Sequence, residues 1–297
     1  MKTKADVAII GCGEAGIFAG YELKKLHPEL EIVVVEQGKD IYSRKCPIVA
    51  GKVKECIHCK VCDTMCGFGG AGAFSDGKFN FTTQFGGWLT DFMDAREVME
   101  LIDYVDSINV RHGATDQVFS TESPEAKALA RRALAFDLHL LQARCKHLGT
   151  ENNLRILTNI YEGLRDKLEF SFNTEVAAIA RAEGGYRLTL AKGGEVACKY
   201  LIAAPGRSGA EWFSNQCKDL GLELLNNQVD IGVRVELLSD REAVVDGCRG
   251  ILEYNECCIR LCTGPLTVRF TGEGLTMRNF GSLGAVVEGK IKSVDFG

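Results

Sequence analysis

The six residues Gly11-Cys12-Gly13-Glu14-Ala15-Gly16 stand between an apolar run at residues 5–10 and a segment of helical spacing at residues 14–27. A second apolar run at residues 31–35 ends on Glu36, twenty residues after Gly16. A lone G-x-G-x-x-G match says little. Here a strand precedes it, a helix follows it and an acid closes the next strand, which together predict a β-α-β unit whose turn admits a dinucleotide's pyrophosphate. The glycines allow the tight turn and the close approach of phosphate, and the helix amino end supplies donors. Glu36 is expected to accept from the ribose hydroxyls of an adenosine. A plain strand-turn-helix without a ligand is the alternative.

The chain has 297 residues, 46% hydrophobic and 25% charged, with a formal net charge of -5. A chain of that size buries about three quarters of its unfolded surface and needs no disulfide staples. Its 35 Lys+Arg are outweighed by 40 Asp+Glu with no long basic run, which predicts no nucleic-acid partner. Lys2 and Lys4 precede an apolar stretch at residues 7–19, but Glu14 and three glycines interrupt it. No run reaches the roughly 18 apolar residues of a membrane span. The expectation is a cytoplasmic protein with no membrane partner and with reduced cysteines.

Residues 38–93 show little periodicity and many Gly, Cys and Phe, which marks a functional loop. Asp94 with Glu97 predicts a capping box, followed by a buried stripe of Val98, Leu101, Ile102, Val105 and Ile108, with Gly113 as the stop. Ser123-Pro124-Glu125 starts another helix that is expected to break near Phe136 and pass into an extended segment at residues 138–144. A helix at residues 153–166 leads to a strand at 168–172. A β-meander is then predicted at about 174–200, with turns at Glu183-Gly184-Gly185 and Lys192-Gly193-Gly194, before a core strand at 200–204 returns. No repeat or Pro-rich linker marks a boundary. The expected division is a nucleotide-binding domain at 1–225 and a partial substrate domain at 226–297.

Gly67-Phe68-Gly69-Gly70-Ala71-Gly72 repeats the glycine pattern with no strand before it, so it does not predict a second dinucleotide site. Its side-chain-free amides can still approach a phosphate or a flat ring.

The motifs at residues 11–16, Glu36-Gln37-Gly38, residues 66–78, His147-Leu148-Gly149-Thr150, Ala204-Pro205-Gly206-Arg207-Ser208-Gly209 and residues 229–235 together resemble the uncharacterised FAD-dependent dehydrogenases among the glutathione-reductase-like flavoproteins. The match runs to about Glu236. It implies a Rossmann-like α/β fold with a parallel FAD-binding sheet, an inserted antiparallel meander and a partial α+β substrate domain. It implies FAD on Gly11, Gly13, Glu14, Ala15 and Gly16, Glu36 and Gln37 at the adenosine, and Arg44 near the cofactor. Gly69, Gly70, Ala71 and Gly72 are implied to bind the cofactor, and the loop of Ser75, Asp76, Gly77 and Lys78 to lie beside the flavin. The backbone at Val176 faces the adenine, and Ala204, Pro205, Gly206 and Arg207 border the pyrophosphate. Such flavoproteins also carry a carboxy-terminal Gly-Asp motif, which this sequence lacks, and residues beyond about 240 fit poorly. The resemblance therefore implies a shortened or frame-altered chain, with FAD binding weakened or lost.

Cys56-x2-Cys59-x2-Cys62-x3-Cys66 has the ligand spacing of a bacterial ferredoxin. Cys46, Cys56, Cys59 and Cys62 are the preferred set for a four-iron four-sulfur cluster, with Cys66 in reserve. Zinc accepts similar spacings, and reduced, unliganded thiols are the remaining reading. Cys248, Cys257, Cys258 and Cys262 are spaced irregularly and read as buried or incidental thiols. His27, His58, His112 and His139 read as surface or core histidines. His147 is a weak catalytic candidate as a proton donor beside a flavin substrate, with a structural role as its rival.

Two functional classes emerge. One is an FAD-dependent oxidoreductase with a small-molecule substrate and an electron donor or acceptor, both undefined, and with an iron–sulfur cluster relaying electrons. The other is a non-catalytic nucleotide-binding module with a structural zinc or metal-free cysteine loop.

Overall fold

Strand β1 (Lys4–Ile10) is apolar on both faces because both faces are covered: Val7 and Ile9 enter one core, Ala8 and Ile10 another. Helix α1 (Glu14–Leu26) follows, and then β2 (Ile32–Val35), which divides its side chains in the same way. Each fully buried Val, Leu or Ile contributes about 1.5–3 kcal/mol. The computed structural model describes residues 2–83, 86–134, 144–225, 235–263, 266–281 and 284–296. Its chain divides into two units, residues 1–224 and 225–297.

In the first unit, β3 (Lys78–Phe81), β4 (Phe119–Ser120) and β5 (Arg144–His147) form a small antiparallel sheet in the order β3-β5-β4. Between them lie α2 (Ala95–Arg111) and α3 (Pro124–Leu134). Asp94 accepts from the Arg96 amide at 2.8 Å and Glu97 accepts from the Asp94 amide at 3.1 Å, so the predicted capping box forms. The break expected near Phe136, most of the extended segment after it, and His139 lie outside the described residues.

Helix α4 (Thr150–Leu164) packs Ile156, Leu157, Ile160 and Leu164 onto the core, and β6 (Glu169–Ser171) follows. Strands β7 (Val176–Ala182), β8 (Gly185–Leu190) and β9 (Glu195–Ala203) form the antiparallel meander, and α5 (Ala210–Asp219) comes after it. The main sheet has the order β6-β2-β1-β9-β8-β7. The meander's last strand and the returning core strand, read as separate in the sequence, are one strand. β9 pairs antiparallel with β8 through Cys198↔Tyr186 and parallel with β1 through Val7↔Tyr200 and Ile10↔Ala203. No glycine or proline interrupts it, so nothing divides it.

The second unit is an antiparallel sheet of β10 (Val235–Ser239), β11 (Glu242–Asp246), β12 (Gly250–Tyr254), β13 (Cys258–Cys262), β14 (Thr267–Gly281) and β15 (Gly284–Phe296), in the order β10-β11-β15-β14-β13-β12. Val245, Ile259, Leu261, Phe270 and Val287 fill its core. Residues 229–234, part of the resemblance, lie outside the described residues. Among the described residues no helix is long and apolar enough to cross a membrane.

Candidate functional site

At the carboxyl end of β1 the chain turns at Gly11, whose φ of +92° favours glycine and whose amide donates to the Val35 carbonyl at 2.9 Å. A Cβ there would stand 2.2 Å from the Ala204 carbonyl oxygen, and one on Gly16 would stand 2.0 Å from that of Gly11. These two glycines are therefore required by backbone contact. Ala204 donates to the Ile10 carbonyl at 2.8 Å, which brings Ala204, Pro205 and Gly206 against the turn. Arg207 and Ser208 lie on the short helical turn that leads into α5, and Arg207 is exposed.

Gly13 differs from its neighbours. A Cβ on it would meet nothing nearer than Gly70 Cα at 4.0 Å. The second glycine segment, which no strand introduces, packs directly on the first: the Gly69 amide donates to the Cys12 carbonyl at 2.8 Å. The first amides of α1 have no intrahelical partner and carry the positive end of the helix dipole, so the turn suits an anion. Glu14 and Ala15 begin that helix.

Glu36 is buried, and its carboxylate is committed to the backbone. Oε2 accepts from the Cys12 amide at 2.8 Å, and Oε1 accepts from those of Gly38 at 2.8 Å and Gly67 at 2.9 Å. A carboxylate offers about four lone-pair sites. Ribose recognition is left the remaining position on Oε2. The glycines thus fit a dinucleotide's pyrophosphate, and Glu36 fits its ribose with one acceptor position.

Arg44 is also buried and structural. Nε donates to the Asp63 carbonyl at 2.9 Å, Nη1 to Phe68 at 2.5 Å, and Nη2 to Thr64 at 3.0 Å and Gly70 at 2.7 Å. Burial lowers its pKa, with Glu36 as the chief opposing influence. This side chain gathers the carbonyls of residues 63–70 and shapes the glycine loop around its guanidinium. Gln37 donates toward Cys66 Sγ at 3.3 Å and Ser208 Oγ at 3.4 Å, bridging the second glycine segment to the region after Gly206.

Beyond Gly72, the Ser75, Asp76, Gly77 and Lys78 loop is fixed from α4: Asn153 donates to the Gly72 carbonyl at 2.6 Å and to Ser75 Oγ at 3.3 Å. Ala71 is exposed on the preceding short helical turn, Gly70–Phe74. This loop borders a cavity of about 690 Å³, walled by α1, β3 and α2 and lined also by Glu14, Ala15, Gly72 and Asn153. The stripe of α2 divides. Val98 and Ile108 are buried, whereas Leu101 and Val105, expected in the core, face the cavity with exposures of 46% and 37%. Glu14 lines the chamber, its residue surface is exposed, and the protein atoms around its carboxyl raise it to about 7 by desolvation.

Sequence reading missed the ion pair beside this chamber. Lys146 is 1% exposed and donates to both Asp106 oxygens, at 2.9 and 2.7 Å. No local pattern marks it, because Lys146 lies on β5 and its partner lies forty residues away on α2. His147 is half exposed, 3.5 Å from Asp76, and outside the described lining of the cavity. Val176 is buried at the start of β7, opposite Leu190.

Cys46, Cys56, Cys59 and Cys62 line a second cavity of about 220 Å³ together with His58 and Asp63. Their predicted convergence on one centre is not met: among the described residues no three His, Cys, Asp or Glu side chains are grouped to hold a metal ion. Cys46 is engaged locally, with backbone bonds at Val49 and Ile48 and the Thr64 hydroxyl lowering its pKa. Cys66 is removed from the set. It is buried against Gln37 and Ser208, 3.6 Å from the Ser208 hydroxyl. All thirteen cysteines are free thiols. Cys248 and Cys258 are buried and Cys257 is exposed, in keeping with incidental thiols.

No family model matches this chain. An uncharacterised protein of Clostridium beijerinckii is 26% identical over 235 residues, which are 78% of this chain and 36% of that protein. The chain thus spans about a third of that relative's length. Among solved structures, glycine oxidase from Geobacillus kaustophilus superposes with a TM-score of 0.43 at 15% identity, over all of this chain and 73% of the oxidase. NikD, an amino acid oxidase of nikkomycin biosynthesis, gives 0.43 at 11% identity, over 99% and 71% of the two chains. L-amino acid deaminase from Proteus vulgaris gives 0.39 at 11%, over 97% and 61%.

Proposed function

We propose that this chain is an FAD-dependent oxidoreductase acting on a small organic molecule. The observation that carries the reading is the backbone contact of two glycine segments at the amino end of α1, where Gly13 keeps its Cβ direction open while Gly11 and Gly16 are packed shut. The α1 amides receive the pyrophosphate, Ala204, Pro205 and Gly206 back the turn, and Arg44 and Asn153 hold the loops against which the flavin lies. FAD, when bound, supplies the redox chemistry. Glu14, with its carboxyl at about 7, can hold or release a proton at the chamber wall near neutral pH.

In its finer form the reading adds an iron–sulfur cluster on Cys46, Cys56, Cys59 and Cys62 that passes single electrons to or from the flavin. Its support is that three free thiols at ferredoxin spacing, Cys56, Cys59 and Cys62, line one cavity together with the free thiol of Cys46. Thiolate ligands must be deprotonated and drawn inward as metal binds. Zinc in that cavity would instead favour the non-catalytic module.

Anaerobic purification of the chain, with its visible spectrum, chromatography of released cofactor, and iron, sulfide and zinc analysis, tests both levels. Stoichiometric FAD, retained or restored by titration, is the expected result. A chain that takes up no FAD at micromolar concentration overturns the flavin reading, and a metal-free chain after anaerobic handling overturns the cluster.

A further inference from the structure

The chamber beside the glycine turns differs in character along its length. At the Gly72 end it presents backbone, Glu14 and Ser75, whereas its far wall is made by Phe81, Val98, Leu101, Ile102 and Val105. Its volume of about 690 Å³ lies within the roughly 300–1,000 Å³ of small-molecule sites. The α2 stripe that forms this wall is patterned as a core face, yet Leu101 and Val105 remain exposed into open space.

Its described cation and one of its two acids already have partners, and the other acid is Glu14. Among the described lining residues Lys78 is the only cation, and the Asp76 carboxylate stands 3.5 Å from its ammonium. Both Asp106 oxygens are taken by Lys146. No arginine is among the described lining residues. A ligand carboxylate placed here would have to share the Lys78 ammonium with Asp76 and would stand among the Glu14 and Asp106 carboxyls, which disfavours it.

We propose that this chamber is the substrate site and that it takes a neutral, largely apolar organic molecule of ring or multi-ring size, not an amino acid. The inference rests on the flavin reading, which puts the redox ring at the Gly72 end and leaves the α2 wall to the substrate. Burial of apolar ligand surface on that wall drives binding, and the polar groups at the Gly72 end orient the reacting carbon or oxygen toward the cofactor.

The test is a titration of the FAD-loaded chain with 2-methyl-1,4-naphthoquinone and, separately, with glycine and with L-leucine, followed by the flavin absorption spectrum and by calorimetry. The naphthoquinone should bind saturably and the amino acids should not. Leu101→Glu and Val105→Glu, at positions exposed enough to tolerate the change, should each weaken naphthoquinone binding by about tenfold or more through the cost of burying a carboxylate, with FAD affinity unchanged. Saturable binding of an amino acid, unchanged naphthoquinone affinity in both variants, or no naphthoquinone binding would overturn the proposal. Competition between naphthoquinone and FAD would make the chamber the cofactor's own seat and overturn it as well. If the wild-type chain takes no FAD, the flavin reading fails by itself, and calorimetry of naphthoquinone with the cofactor-free chain and its two variants decides the chamber.

Discussion

Glu36 Oε2 accepts a hydrogen bond from the Cys12 backbone nitrogen at 2.8 Å, tying the end of β2 to the first glycine turn. With the amides of Gly38 and Gly67 on Oε1, this one carboxylate joins three chain segments before any ligand arrives. Glu36→Ala would leave buried donors unpaired, at about 1–3 kcal/mol each. Thermal or urea unfolding of the cofactor-free chain should therefore show a loss of about 3 kcal/mol or more. A variant with unchanged cofactor-free stability and weaker FAD binding would assign Glu36 to the ribose alone.

The glycines of the first turn should separate by function. Gly16→Ala forces a Cβ to 2.0 Å from the Gly11 carbonyl oxygen and should cost about 1–3 kcal/mol of stability, as overpacking does. Gly13→Ala meets its nearest neighbour at 4.0 Å and should fold normally. Gly13→Val should also fold, while its FAD affinity drops. Parallel melting curves and FAD titrations check the contrast, and undiminished FAD affinity in Gly13→Val refutes the pyrophosphate assignment.

Lys146, buried, and Asp106, partly buried at the chamber, form a pair whose partners are costly to separate. Lys146→Met alone should destabilise the chain by about 3–5 kcal/mol, because it strands the Asp106 charge. Pairing it with Asp106→Leu should recover most of that loss. A double-mutant cycle by urea denaturation measures the coupling, and additive losses would show that the two side chains do not act together.

Glu14 should make stability depend on pH. Its folded carboxyl sits at about 7 against an ordinary value of 4.5, raised by desolvation. The folded chain therefore holds more protons than the unfolded chain between those values, and stability falls as pH rises through that window. Above about 7 the penalty is complete and this contribution is flat. Glu14→Gln should remove the slope, so the variant's melting temperature should gain on the wild type from pH 4.5 to 7 and keep a constant lead at pH 8. Parallel curves across the whole range would show that Glu14 titrates normally.

The β-α-β unit, the capping box on α2 and the meander were legible in the sequence because each is set by short-range rules. The short continuous apolar runs of β1 and β2, glycine spacing at the turns, and Asp94 with Glu97 three residues on all act within a few residues of chain. The unity of β9 was less legible, since its β8 and β1 partners cover different, overlapping stretches and only the assembled sheet shows one strand serving both.

Residue types near the site could be read from sequence, but their partners could not. Gly11 and Gly16 were identifiable because backbone contact at a tight turn excludes any Cβ. Tertiary structure decided that Glu36 serves three backbone amides, that Arg44 shapes the glycine loop through four carbonyls, and that Cys66 turns away from the other loop cysteines. It also decided that Leu101 and Val105 wall a chamber, although their spacing is that of a core stripe. The hydrophobic effect prescribes that such a stripe leave water and is indifferent to what covers it. Hydrogen bonds and packing are satisfied by whichever groups the fold brings within about 3 Å, so the sequence determined the elements and their tightest turns, and three-dimensional proximity determined what each buried polar group does.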